Sequence, residues 1–194
     1  MKTARIIVGK SGVSGRGVFA GKDFKRGDII CRFTGTVVSI EDMERIYERG
    51  KSKVSCDAFQ IGARKYLLID EPFVLINRSC DPNTAFKGER TLVARKAIKK
   101  DDELFYDYST TEWTARDYTE YDHRMWPMHC RCGARNCRGL ITCFPLLPKA
   151  TQKKYLEGAI KPYIRANMRL PEPEHHCAVC ESRLAAFRKR AAAR

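Results

Sequence analysis

A chain of 194 residues with 43% apolar and 31% charged residues has an ordinary globular balance. It is long enough to bury a core without disulfides and too apolar for disorder throughout, and its length favours one domain with an appendage over two full domains. The formal charge of +14, from 37 Lys and Arg against 23 Asp and Glu, attracts polyanions, but much of it is local: beyond Glu181 there is no acid, only Arg183, Arg188, Lys189, Arg190 and Arg194.

In chain order, the first half reads as short strands divided by glycine turns. Arg5-Ile6-Ile7-Val8 is apolar and β-branched, and Gly9 to Gly15 supplies a flexible turn. Val18-Phe19-Ala20 and Ile29 to Val38 are further strands, the second interrupted by Gly35. Ser39 is placed to cap a short helix over Glu41 to Glu48, which Gly50 stops. Tyr66 to Ile69, Thr91 to Arg95 and Glu103 to Tyr108 complete the strand set, so the fold is expected to be mostly β with short helices.

After Tyr108 the character changes. Residues 109 to 129 carry Trp113, Tyr118, Tyr121 and Trp126 among Glu112, Asp117, Glu120 and Asp122. A cysteine-rich stretch follows from His129 to Cys137. Beyond Pro148, Ala150 to Met168 is expected to be helical and divided at Pro162, and Pro171-Glu172-Pro173 leads into the basic tail. There is no internal repeat. No apolar run approaches a membrane span and the N-terminus has no signal-peptide stretch, so an intracellular protein without a membrane partner is expected.

Nine cysteines, several at metal-ligand spacing, point in a reducing compartment to zinc before disulfides. Cys130, Cys132 and Cys137 form C-x-C-x4-C, three thiols too close in sequence to supply a fourth tetrahedral ligand among themselves. Cys80 is the candidate for the fourth because it lies in the turn-rich run Asn77-Arg78-Ser79-Cys80-Asp81-Pro82-Asn83. His175-His176-Cys177-Ala178-Val179-Cys180 offers only half of a usual zinc spacing, and a second site at Cys177 and Cys180 is not expected. Cys31 and Cys56 read as packing residues, and Cys143 has no assigned partner.

Gly15-Arg16-Gly17-Val18-Phe19-Ala20, the Asn77 to Asn83 run, Glu103-Leu104-Phe105-Tyr106-Asp107-Tyr108 and the C-x-C-x4-C follow one another in order. Together they resemble the motifs of SET-domain protein-lysine methyltransferases with a post-SET zinc loop, over roughly residues 5 to 141. The resemblance implies a fold of small curved sheets with a pseudoknot, followed by a zinc loop and a C-terminal helical extension. Residues 5–110 would be the SET catalytic domain and 111–129 a linker and substrate lid. Residues 130–141 would be the post-SET zinc loop, and 142–194 a helical extension with the basic tail.

The same resemblance implies S-adenosyl-L-methionine as methyl donor and the ε-amine of a protein lysine as acceptor. Gly15, Arg16 and Gly17 would place backbone against the cofactor, and Asn77 and Arg78 would hold its adenosine portion. Cys80, Cys130, Cys132 and Cys137 would bind one structural Zn2+. Tyr108 would also touch the cofactor and act in catalysis by orienting the amine. Tyr106 would set product multiplicity, favouring mono- or dimethylation. Such a site must hold a neutral amine although a free lysine has a pKa of about 10.4, and an apolar channel beside a sulfonium cation lowers that value. Aromatic walls tolerate the cation, and rate follows from alignment.

Several positions depart from the family pattern: Arg78 stands where histidine is usual, Phe33 where tyrosine is common, and Val74-Leu75 where Arg-Phe is common. The insert between Gly35 and Asn77 is short. The substrate is expected to be a protein presenting a lysine, a histone or another basic protein. Nucleic-acid contact through the basic surface and the oligomeric state stay open. The compartment would be the cytoplasm in a prokaryote and the nucleus in a eukaryote. The alternative is a catalytically silent SET-like zinc module that binds nucleic acid or a protein partner.

Overall fold

The computed structural model describes residues 5–39, 41–42, 45–46, 58–62, 65–113, 128–157, 164–165 and 185. Strands β1 (Ile6–Lys10) and β2 (Arg16–Ala20) form an antiparallel pair around the Gly9 to Gly15 turn. Strands β3 (Ile29–Arg32) and β4 (Gly35–Ser39) divide the single strand expected over Ile29 to Val38 between two sheets. A Cβ on Gly35 would stand 2.0 Å from the Leu68 carbonyl oxygen, so only glycine permits the close approach where the chain changes sheet.

Strands β5 (Ala58–Gly62) and β6 (Lys65–Ile69) complete the sheet β4-β6-β5. Strands β7 (Thr84–Lys87) and β8 (Thr91–Ala94) complete β3-β8-β7. The short pair β9 (Met128–His129) and β10 (Leu140–Ile141) brackets the cysteine loop. Among the described residues the architecture is therefore four small antiparallel sheets. Sequence reading anticipated neither β5 nor β7.

The residues Glu103 to Tyr108 do not form the regular strand their alternation suggested. They run extended, with isolated bridges from Glu103 to Phe19 and from Tyr106 to Arg78, and end in a 3-10 turn over Tyr108–Thr110. The Asn83 side chain replaces part of a ladder: its Oδ1 accepts from Phe105 N–H at 2.8 Å and its Nδ2 donates to Glu103 O at 2.8 Å. The segment thus belongs to no single sheet and joins two parts of the molecule.

Ser39 caps the first helix as expected, with Asp42 N–H on Ser39 Oγ at 3.1 Å, and Asp42 completes a reciprocal cap by accepting Ser39 N–H on Oδ2 at 3.4 Å. Part of the Glu41 to Glu48 helix lies outside the described residues. After Pro148 the helix α1 (Lys149–Leu156) forms, and Ile164 and Arg165 are helical as well. Pro162, most of the 111–129 segment, Cys56, the His175 to Cys180 run and nearly all of the basic tail lie outside the described residues.

The main core joins the three larger sheets through Val18, Phe24, Ile30, Phe33, Phe59, Leu67, Ile76, Leu92, Ile98, Leu104 and Tyr106. Phe33 sits at its centre at 1% exposure, stacked on Phe73 and edge-on to Phe59, Phe86 and Tyr106. A second cluster, Trp113, Phe144, Leu147, Tyr155 and Ile164, seats α1 against the domain. Removing an aromatic from such clusters costs about 3–5 kcal/mol.

Candidate active site and metal centre

The Gly15 turn, the Asn77 to Asn83 run and the Glu103 to Tyr108 segment meet at one place. Gly15 adopts φ +51, with open space where a Cβ would stand. Gly17 is the opposite case, because a Cβ there would stand 2.3 Å from Glu103 Oε1. Asn77 joins these pieces: its Nδ2 donates to Arg16 O at 3.0 Å, Glu103 Oε1 at 2.9 Å and Ser14 O at 3.3 Å. The Arg16 guanidinium reaches Glu71 at 3.4 Å across an exposed surface, a pair that contributes little. Arg16 is fixed instead through its backbone carbonyl.

The Asn77 and Glu103 runs lie side by side, with a parallel bridge between Arg78 and Tyr106. Tyr106 N–H donates to Asn77 O at 3.3 Å, Ser79 N–H to Tyr106 O at 3.2 Å and Thr84 N–H to Phe105 O at 3.1 Å. Tyr106 is buried beneath Phe33 and Phe86, and its ring centroid is 4.7 Å from that of the half-buried Tyr108. The Tyr108 hydroxyl donates to Ile76 O at 3.0 Å, which fixes the ring and directs the oxygen lone pairs elsewhere.

Arg78 caps this pair. Its guanidinium carbon lies 5.8 Å from the Tyr108 ring centroid, and its Nη2 donates to His129 O at 2.8 Å. Its buried Nε has no hydrogen-bond partner among the described residues.

Cys80, Cys130, Cys132 and Cys137 present their sulfurs within 4.8 Å of one another. Zinc–sulfur bonds of about 2.3 Å place tetrahedral sulfurs about 3.8 Å apart, and the Cys80 and Cys130 sulfurs are 3.7 Å apart. Backbone N–H groups of Arg138, Cys80 and Gly139 donate at 3.4 Å to the sulfurs of Cys80, Cys132 and Cys137 in turn. Such donors stabilise thiolates. Hydrogen bonding from Cys80 draws the Cys130 thiol down to about 4, while the same contact, with burial, pushes Cys80 up. Donor chemistry, spacing and hydrogen bonding all fit one zinc ion. Tyr108 packs against this cluster together with Ile141.

A carboxylate that sequence reading left without a role links the centres. Asp107 is 3% exposed, and its Oδ1 accepts from Arg138 Nη2 at 2.7 Å and from Ser109 N–H at 3.1 Å. Its Oδ2 accepts from the Tyr155 hydroxyl at 2.6 Å. A charge inside an otherwise apolar and aromatic run, and an arginine directly after Cys137, were the available signals.

Residues 15–109 match the family model of the SET domain. The chain carries a SET domain. Among curated relatives it is 29% identical to Histone-lysine N-methyltransferase ATX2 of Arabidopsis thaliana, over 71% of this chain and 13% of that protein. It is 28% identical to Histone-lysine N-methyltransferase 2D of Homo sapiens, over 69% of this chain and 2% of that protein. It is 30% identical to Histone H3-lysine(4) N-trimethyltransferase ATX1 of Arabidopsis thaliana, over 71% of this chain and 13% of that one. The chain therefore spans only a small part of these relatives. A solved structure, the Neurospora SET domain protein DIM-5, gives a TM-score of 0.46 at 22% identity over 53% of this chain and 51% of that one.

The SET-domain match ends at Ser109, so the cysteine loop and α1 lie beyond it. Within the SET domain, Arg78, Tyr106 and Cys80 lie around Tyr108, while Arg16 and Gly17 meet Asn77 and Glu103. Cys130, Cys132 and Cys137 join them from beyond its C-terminal edge.

Proposed function

We propose that this chain transfers a methyl group from S-adenosylmethionine to the ε-amine of a protein lysine. The observation that carries the reading is the position of Tyr108, whose ring lies against Tyr106 on one side and the four-cysteine cluster on another. The names of the relatives, which give histone lysines as their targets, support a histone or another basic protein as substrate.

Bound S-adenosylmethionine supplies a methyl group already activated by its sulfonium. Space over Gly15 admits a ligand close to backbone, and beside Tyr108 the buried Nε of Arg78 is a donor without a partner among the described residues. With its proton directed to Ile76 O, the Tyr108 oxygen can accept from an amine N–H and orient the nitrogen lone pair. The adjacent, tilted Tyr106 and Tyr108 rings exclude water and tolerate the methylated ammonium. Tyr106 narrows the channel, which favours one or two methyls per lysine. Cys80, Cys130, Cys132 and Cys137 would hold a zinc ion, whose role would be structural, fastening the loop after His129 against Tyr108.

The test is incubation with isotopically labelled S-adenosylmethionine and either histones or a mixed protein extract, followed by peptide mass spectrometry. Label on lysine ε-amines, one or two methyls per residue, is the expected result. Labelled peptides carrying no lysine methylation, or no label at all, would contradict it and leave a zinc-binding module.

A further inference from the structure

Helix α1 lies outside the SET-domain match, yet it touches the residue next to Tyr108. Asp107 receives donors from three elements: Ser109 in its own turn, Arg138 from the cysteine loop and Tyr155 from α1. Its backbone carbonyl accepts from Thr110 N–H at 2.9 Å and Thr110 Oγ1 at 2.6 Å, so the residue that gathers these donors also caps the turn that Tyr108 begins.

The two carboxylate oxygens are held from different sides. Ser109 and Arg138 occupy Oδ1, and the Tyr155 hydroxyl donates to Oδ2. The last torsion of an aspartate is soft, so a carboxylate anchored through one oxygen can pivot, whereas one held through both cannot. Tyr155 is itself immobilised at 5% exposure among Trp113, Phe144, Leu147 and Ile164, with the Arg95 guanidinium 5.2 Å from its ring centroid. Burial, together with the Asp107 charge, pushes the Tyr155 hydroxyl up, which keeps its proton in place as a donor.

We propose that Tyr155 is a positioning residue for methyl transfer: through Asp107 it fixes the orientation of Tyr108, which makes the C-terminal helix part of the catalytic unit. This rests on the functional reading above. Methyl transfer depends on alignment, and small misplacements of an orienting group lower rate more than they lower binding.

The experiment compares the full zinc-loaded chain with its Tyr155→Phe variant, which keeps the ring in its apolar seat. Turnover is expressed per cofactor-binding site, with sites counted by calorimetric titration with S-adenosylmethionine. Turnover per site should fall roughly tenfold, with KM for substrate and affinity for cofactor within about twofold of wild type. Amide exchange over residues 105–111 should quicken while β1 and β2 keep their protection. Tyr155 with a merely structural role would lower the melting temperature or the number of binding sites and leave turnover per site intact; that result overturns the proposal. Wild-type protein that takes up no cofactor would instead defeat the functional reading, and the positioning role with it.

Discussion

The sulfur of Cys80 stands 3.7 Å from that of Cys130, although 50 residues separate them in sequence. The SET-domain segment and the cysteine loop are therefore joined at the point where Tyr108 packs, and an ion held by these four cysteines would lock one to the other.

One zinc per chain is expected by elemental analysis, falling to none in Cys80→Ser. Chelation should lower the melting temperature by about 10 °C, in keeping with loss of a structural metal. Cys31, whose thiol burial pushes up to about 12, serves as the control. Cys31→Ser should retain its zinc, and the Cys31 thiol should resist alkylation at pH 8, where it is protonated. Full zinc in Cys80→Ser would remove this cysteine from the ligand set.

Gly17→Ala should cost about 1–3 kcal/mol, because its methyl would have to displace the Glu103 carboxylate that holds Asn77. Thermal melting checks the stability, and cofactor titration checks the accompanying loss of affinity. A variant as stable as wild type would mean that Glu103 moves freely aside.

Much of this site was legible in the sequence because its parts are set by residue identity rather than by pattern. Asn77 supplies the amide that ties three carbonyl or carboxylate groups, and thiol spacing marks the metal centre, whereas the room that Gly17 leaves for Glu103 had no signal in the sequence. Patterning failed where tertiary contacts decide. Leu104, Tyr106 and Tyr108 alternate as a strand does, but Asp107 caps a turn at that point and Asn83 supplies the hydrogen bonds of a missing neighbour. Strands β5 and β7 are four or five residues long and hold few β-branched residues, so their pairing partners define them. The Asp107–Tyr155 contact spans 48 residues and has no local signature.

Arg78→Ala should retain zinc but weaken cofactor binding about tenfold, by releasing the His129 carbonyl and uncovering the Tyr108 ring. Arg78→His, which restores the residue usual at this position, should recover part of the affinity. Unchanged affinity in both variants would show that the guanidinium serves only the surface.

Tyr106→Phe should increase the number of methyls placed on each lysine, because loss of a hydroxyl from a buried wall enlarges the space beside Tyr108. Product mass spectrometry reads this directly, and an unchanged methyl count would remove Tyr106 from control of multiplicity.

Calorimetric titration of the zinc-loaded chain with S-adenosylmethionine tests the central claim most directly. Saturable binding with one cofactor per chain is expected, weakened in Gly17→Ala and retained in a Tyr108→Phe variant that no longer methylates protein. A titration with no heat of binding at any concentration, from protein whose zinc is in place, would contradict the account.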